Sequence, residues 1–199
     1  VYKKEFANSR ILYRSEIENS TTSPVIGEIV FEPAAGDNVI IFGKESRTLI
    51  AEQFRELRTN INYLIQSDVN GKVLLITSST PGEGKSFVSI NLAASFAFSG
   101  KRTALVEFDL YKPKVCEGLG VNYKAGITDF FQGQATLEKI CHPYSKIPNL
   151  RVVPAGTPLT NPAELILNGK LPGLIDYLKT EFDFIIIDSP AIGMVSDSK

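Results

Sequence analysis

The sequence contains no tryptophan, one methionine, one histidine and two cysteines in 199 residues. Two cysteines, Cys116 and Cys141, are too few for a disulfide scaffold and lack zinc-ligand spacing, which makes a reducing compartment the simpler reading. His142, although set in Cys141-His142-Pro143, has neither a second ligand nor an orienting partner in sequence and is read as a loop or packing residue. No apolar run approaches the ~20 residues needed to span a bilayer. Neither sign of charge is in excess: 21 Lys+Arg stand against 22 Asp+Glu, a net charge of −1. That balance excludes binding to nucleic acid by non-specific phosphate attraction, and no nucleic-acid partner is expected. What the chain does have is a 43% hydrophobic share and the length of one ordinary domain, enough to bury roughly 70% of its unfolded surface. A mostly disordered chain is thereby excluded.

Residues 1–45 are mixed and read as an N-terminal arm. Ser15 is expected to cap a short helix running to Asn19, and the β-branched stretch 25–31 is expected to be a strand. From residue 46 to 199 the pattern is that of one domain. Leu49, Ile50, Phe54, Leu57, Ile61, Leu64 and Ile65 recur at three- and four-residue steps, with adjacent pairs at each end, and predict a helix of about twenty residues. Strands are then expected at 73–77, 103–108, 150–153 and 184–187, with helices at 85–99, 128–140, 163–167 and 171–178. Strands that are continuous Val/Ile/Leu runs, alternating with helices, indicate an α/β fold: a doubly wound, mainly parallel sheet with helices on both faces. The chain starts at Val1 and stops at Lys199 without an ordinary closing element, and reads as a piece of something longer.

The most informative segment runs from Ser78 to Ser86, between an expected strand and an expected helix. A tight loop there points successive backbone N–H groups inward, and glycine lets the backbone approach an anion without a Cβ in the way. The helix that follows adds its N-terminal dipole. Nucleotide contacts are expected from Thr80, Pro81, Gly82, Glu83, Gly84, Lys85, Ser86 and Phe87, with Lys85 reaching the β- and γ-phosphates and the Ser86 hydroxyl on Mg²⁺. A strict P-loop has glycine where this chain has Ser79; the strand–loop–helix context carries the reading past that departure. Asp109 and Asp188 each follow an expected parallel strand, at the edge where open α/β sheets bind ligands, and together with the loop they favour Mg²⁺ ligation over simple turn capping.

These residues resemble the bacterial tyrosine kinases of exopolysaccharide and capsule assembly. Pro81-Gly82-Glu83-Gly84-Lys85-Ser86 is similar to that family's Walker A loop, the stretch from Leu105 to Pro113 to its second acidic motif (Walker A′), and the stretch from Ile185 to Pro190 to its Walker B. Further matches are Glu52-x-x-Arg55-x-x-Arg58, Val153-Pro154-Ala155-Gly156, the run from Asn161 to Leu165 and the stretch from Pro24 to Ile29. The resemblance implies an ATP- and Mg²⁺-dependent protein-tyrosine kinase whose subunits phosphorylate tyrosines in a neighbour's C-terminal tail. In that reading Lys85, Asp109 and Asp188 are catalytic, Ser86, Asp109, Asp188 and Glu107 are metal candidates, and Asp109 is either a metal ligand or the base toward the tyrosine hydroxyl.

The resemblance also implies a ring-shaped homo-oligomer through Glu52, Arg55 and Arg58, although by pattern alone these three form a solvated helix face. It further implies a membrane chain-length regulator or polysaccharide co-polymerase region, in cis or in trans, an opposing tyrosine phosphatase, and a place at the cytoplasmic face of the bacterial inner membrane. Membrane segments would then lie before Val1, and the remaining strands and tyrosine tail beyond Lys199. Two departures stand out: the first carboxylate of the second acidic motif is Glu107 rather than Asp, and its Arg position is Tyr111, with Lys112 beside it. They support one alternative, an ATP-binding scaffold without chemistry. The other alternative is a partition-type P-loop ATPase, but those proteins carry a second lysine early in the loop, where this chain has Thr80.

Overall fold

A computed structural model describes residues 11, 13–31, 40, 46–65, 71–159, 164 and 169–192. Its elements in chain order are α1 (Arg14–Glu18), α2 (Leu49–Leu64), β1 (Lys72–Ile76), α3 (Lys85–Phe98), β2 (Thr103–Glu107), α4 (Val115–Leu119), α5 (Ile127–Phe131), α6 (Leu137–Ile140), β3 (His142–Pro143), β4 (Leu150–Val153), α7 (Leu171–Glu181) and β5 (Phe184–Asp188). The strands form one sheet in the order β1-β5-β2-β4-β3. The four longer strands are parallel, and only the two-residue β3 runs antiparallel, against β4. The last strand therefore lies between β1 and β2 and gathers the three strand ends that matter for the site.

The central strands β2 and β5 are buried throughout, and their side chains alternate between two buried clusters. Phe184 and Ile186 pack with Leu105, Leu74 and Ile76 under α2 and α3, whereas Ile185 and Ile187 pack with Ala104, Val106 and Val153 under α5, α6 and α7. This is the doubly wound arrangement expected of strands that are apolar on both faces. The phosphate-loop helix α3 is anchored at its far end, where the Phe96 ring stacks on Phe184 at 3.9 Å between centroids. Burying one such side chain contributes roughly 1.5–3 kcal/mol. Edge strand β1 leaves Val73 and Leu75 exposed on the second face.

Several expectations change. The stretch 25–31 pairs with no strand among the described residues; α2 side chains take up backbone groups of it instead, Asn60 Nδ2 donating to the Ile26 carbonyl (2.8 Å) and the Val30 amide to Gln53 Oε1 (3.0 Å). Ile26 and Ile29 accordingly pack against the core. The first helix begins one residue before Ser15, with Tyr13 at the N-cap position donating its amide to Glu16 Oε2 (3.0 Å), and the N-cap of α2 is Thr48, whose hydroxyl accepts from the Ala51 amide. The single helix expected over 128–140 is two short ones, because the Gln134 and Ala135 amides turn back onto the Asp129 carbonyl. The helix expected at 163–167 falls outside the described residues except for Glu164, which is helical. Helix α4 and strand β3 were not anticipated.

Candidate active site

Between β1 and α3 the chain folds into the tight loop the sequence suggests. Gly84 is the N-cap of α3 at φ 91°, and Gly82 lies at φ 90°. A side chain in that left-handed region would cost about 1–2 kcal/mol, so glycine sets the approach of the loop to α3. Glu83 folds back along the loop, its Oε2 accepting from the Ser79 and Thr80 amides at 2.8 and 3.1 Å. These bonds, that from Thr80 foremost, hold the Glu83 carboxyl below the usual glutamate range. The segment after β5 is stitched to the same loop: the Ser189 amide and hydroxyl donate to the Ile76 carbonyl, the Thr77 hydroxyl to Pro190, and the Ile192 amide to Ser78.

Asp188 closes β5 and is fully buried. Its Oδ2 accepts from the Ser86 hydroxyl at 2.7 Å, and its Oδ1 lies 3.0 Å from the Ser89 hydroxyl, whose proton can serve either that oxygen or the Lys85 carbonyl at 2.9 Å. Burial pushes the Asp188 carboxyl up, and the two serine bonds oppose that rise. Asp109, 4% exposed, pairs with the Lys85 ammonium across 3.1 Å and accepts the Lys112 amide on its other oxygen. Lys85, Ser86, Asp109 and Asp188 thus converge from three elements on one place.

Glu107 is next to Asp188 in the sheet, since the register pairs the two residues directly. Its partners differ completely. Oε1 accepts the Val115 amide at 2.5 Å and the Cys116 amide at 3.3 Å, while Oε2 accepts the Ala155 amide at 3.2 Å, with the residue only 1% exposed. Burial, and then the neighbouring Glu107 carboxylate, push the Cys116 thiol up to about 12, which disfavours the thiolate.

A cleft of about 360 Å³ opens beside these groups. Pro81, Gly82, Gly84, Lys85, Ser86 and Phe87 line it from the loop side, and Asp109, Lys112 and Lys114 from the other. Thr80, Glu83, Glu107 and Asp188 of the expected site residues are not on that lining, Asp188 lying buried behind Ser86, and the Phe87 ring also packs edge-on against Phe54 of α2 at 5.9 Å. Sequence reading passed over Ser89 and Lys114. Ser89 lies three residues past Ser86 on the same helix, so a second serine on the same helical face was the available signal.

On α2, Glu52 and Arg55 form an ion pair on the exposed side, and Arg55 also donates to the Ser46 carbonyl. Arg58 turns inward instead, donating to the carbonyl and hydroxyl of Ser95 on α3 at 2.7 and 3.2 Å. His142 packs as expected, its ring stacked on Tyr123 and its Nε2 2.7 Å from the Ala125 carbonyl. Among the described residues no helix is long and apolar enough to cross a membrane.

Comparison with known proteins fits this geometry. Residues 71–198 match the AAA domain family. The tyrosine-protein kinase YwqD of Bacillus subtilis is 34% identical over 160 residues, covering 80% of this chain and 67% of YwqD. The chain belongs to the bacterial tyrosine kinase family. The putative tyrosine-protein kinase EpsB of Ralstonia nicotianae is 37% identical over 74% of this chain, and the matched part spans only 19% of EpsB. Among solved structures, the chimerical protein CapA2B2 superposes with a TM-score of 0.82 at 29% identity, covering 93% of this chain and 78% of that one. The septum-site protein MinD of Pyrococcus horikoshii, solved with Mg-ADP, gives a TM-score of 0.52 at 30% identity over 60% of this chain and 49% of that one. The P-loop site of this family member is a nucleotide-binding site, built on a mainly parallel sheet with helices on both faces.

Proposed function

We propose that the protein is an ATP-dependent protein-tyrosine autokinase that regulates exopolysaccharide or capsule polymerisation and export. The observation that carries this reading is a cleft lined by Lys85, Ser86 and Asp109, with Lys85 paired to Asp109 and Ser86 bonded to the buried Asp188 behind it, in a chain that belongs to the tyrosine kinase family. The donor set suits Mg²⁺, because a serine hydroxyl and a carboxylate already in contact offer hard oxygens and leave further positions for water and phosphate. Ser86 and Asp188 would hold the ion, with Asp109 beside them; when bound it neutralises charge on the nucleotide's phosphate oxygens. Lys85 holds the γ-phosphate, and the loop amides and the α3 N-terminus orient the chain of phosphates. The bond from the γ-phosphorus to the β,γ-bridging oxygen breaks, a bond to the tyrosine oxygen forms, and the phenolic proton leaves to Asp109 or to water.

Radiolabel transfer from ATP to the full-length protein tests this, with Lys85→Met as control. Tyrosine phosphate in the wild type and none in the variant is the expected result. Free phosphate alone would make the protein an ATPase, and neither product would make it a scaffold. The same reading includes a ring of subunits contacting through Glu52, Arg55 and Arg58, a co-polymerase region in cis or in trans, a tyrosine phosphatase that reverses the reaction, and a place at the inner face of the bacterial inner membrane. Glu52 and Arg55 supply an exposed ion pair for such a contact, whereas Arg58 acts from below by fixing α2 to α3. A Glu52→Ala/Arg55→Ala variant is expected to sediment as a smaller species; unchanged sedimentation would remove this surface from the interface.

A further inference from the structure

We propose that Glu107 is a positioning residue and carries no metal: its carboxylate clamps the segment from Asp109 to Cys116 so that Asp109, Lys112 and Lys114 stand as the far wall of the phosphate cleft. This rests on the kinase reading for the reaction it serves, and on the geometry for the clamp itself. Both Glu107 oxygens are engaged, and all three donors are backbone amides, at Val115, Cys116 and Ala155. Three of the carboxylate's roughly four lone-pair sites are taken by backbone donors that cannot rotate away, so a metal taking this carboxylate would have to share an oxygen with a fixed amide or strand one in a buried place. Asp188, in register on the adjacent strand, is bonded instead by two serine hydroxyls, which can turn toward another partner.

The clamp has a clear payload. Asp109 fixes the near end of the segment by accepting the Lys112 amide at 3.1 Å, and Glu107 fixes the far end at the start of α4. Between these two points the chain presents Lys112 and Lys114 to the cleft. The bond to Ala155 ties the same carboxylate to the end of β4, so three segments meet on one side chain. The extra methylene of glutamate over aspartate provides the reach to a neighbouring element.

Steady-state autophosphorylation of the full-length protein, titrated with ATP and with Mg²⁺ below the melting temperature, compares wild type with Glu107→Gln and Glu107→Asp. The clamp predicts that both variants lose about tenfold in kcat while KM for ATP and the Mg²⁺ half-saturation stay within twofold. A tenfold rise in Mg²⁺ half-saturation in Glu107→Gln would make it a metal ligand and overturn the proposal. So would wild-type kcat in Glu107→Asp, since a shorter carboxylate serves an ion but falls short of the amides. Lowered melting with unchanged kcat would reduce Glu107 to a stabilising residue and also overturn it. Amide exchange in the wild type covers the case in which the variants do not fold: protection of Val115, Cys116 and Ala155 should be the same with and without Mg·ADP, and its loss on adding Mg·ADP would refute the clamp. A wild type that forms no phosphotyrosine sinks the kinase reading alone, because the exchange data and a Mg²⁺ titration of fluorescent ADP binding still decide the clamp.

Discussion

The ends of β5 and β2 lie side by side, in register, and each ends on a buried carboxylate, yet they are built for different work. Asp188 is met by the hydroxyls of Ser86 and Ser89, groups that both accept and donate and can rotate toward water or an ion. Glu107 is met by three backbone amides that have only one thing to offer. Burial does not separate the two, since both are almost inaccessible. What separates them is whether the partners can let go. Losing a hydroxyl partner to a metal leaves nothing unsatisfied, while stranding a buried amide costs about 1–3 kcal/mol each time.

The sharpest way to break this contrast is at the rate of phosphoryl transfer. Asp188→Asn and Asp109→Ala should each lower phosphotyrosine formation by roughly 10³-fold, the scale of a lost charge-stabilising group, while Glu107→Ala lowers it by only about tenfold. Radiolabel transfer measures all three. Equal losses from Asp109→Ala and Glu107→Ala would mean that the β2 end is reacting chemistry throughout, and the distinction between its two carboxylates would fall.

A second prediction concerns the anchored side, where rigidity should appear as intolerance of added volume. Gly156 follows the Ala155 amide bound by Glu107 and has φ 91°; a Cβ there would lie 2.5 Å from Asp129 Oδ2 and 2.6 Å from the Thr128 hydroxyl. Asp129 cannot give way cheaply, because it already accepts from the Gly126 and Thr157 amides and from the Thr157 hydroxyl. Gly156→Ala should therefore destabilise the fold by about 3 kcal/mol, combining overpacking with a left-handed side chain. Thermal melting checks this, with a fall of roughly 6–12 °C expected. A change of less than about 2 °C would show that the β4 end is soft, and the contrast with β5 would lose its structural basis.

How much of this was legible beforehand follows the same division. The loop, Lys85, Ser86, Asp109 and Asp188 could be placed from sequence because each depends on a local pattern: a strand run, then glycines or a terminal carboxylate. The neighbour relation that brings Asp109 and Asp188 together depends on β5 threading between β1 and β2, which no local pattern contains. Glu107 was read as a metal candidate for the same reason, since its partners at residues 115, 116 and 155 are distant in sequence and are backbone groups that no residue identity reveals. Residues 25–31 looked like a strand because their composition is β-branched, but α2 offers Asn60 and Gln53 in place of a neighbouring strand. The inward turn of Arg58 onto Ser95 was equally invisible, because helical spacing alone put it with Glu52 and Arg55.

The smallest expected effect sharpens the contrast on the loop itself, where Glu83 is a carboxylate on backbone amides like Glu107 but exposed rather than buried. Its bonds to the Ser79 and Thr80 amides lie off the cleft lining, so it shapes the loop without facing the phosphates. Water can replace those bonds, and an amide oxygen can accept them, so Glu83→Gln should raise KM for ATP by no more than about threefold and leave kcat unchanged. The pH dependence has a definite sign. Because the Thr80 and Ser79 bonds hold this carboxyl below the usual glutamate range of about 4.3, its charged form persists down to that range and is lost only as the pH falls through the lowered value. The difference in nucleotide affinity between wild type and Glu83→Gln should therefore be constant from neutral pH to about 5 and close at lower pH, where the wild type becomes neutral too. Fluorescent ADP binding as a function of pH measures it. A tenfold or larger loss at neutral pH would mean that exposed and buried carboxylates on backbone amides are equally indispensable here, and that exchange of partners with solvent is not what distinguishes the working residues of this site from its fixed ones.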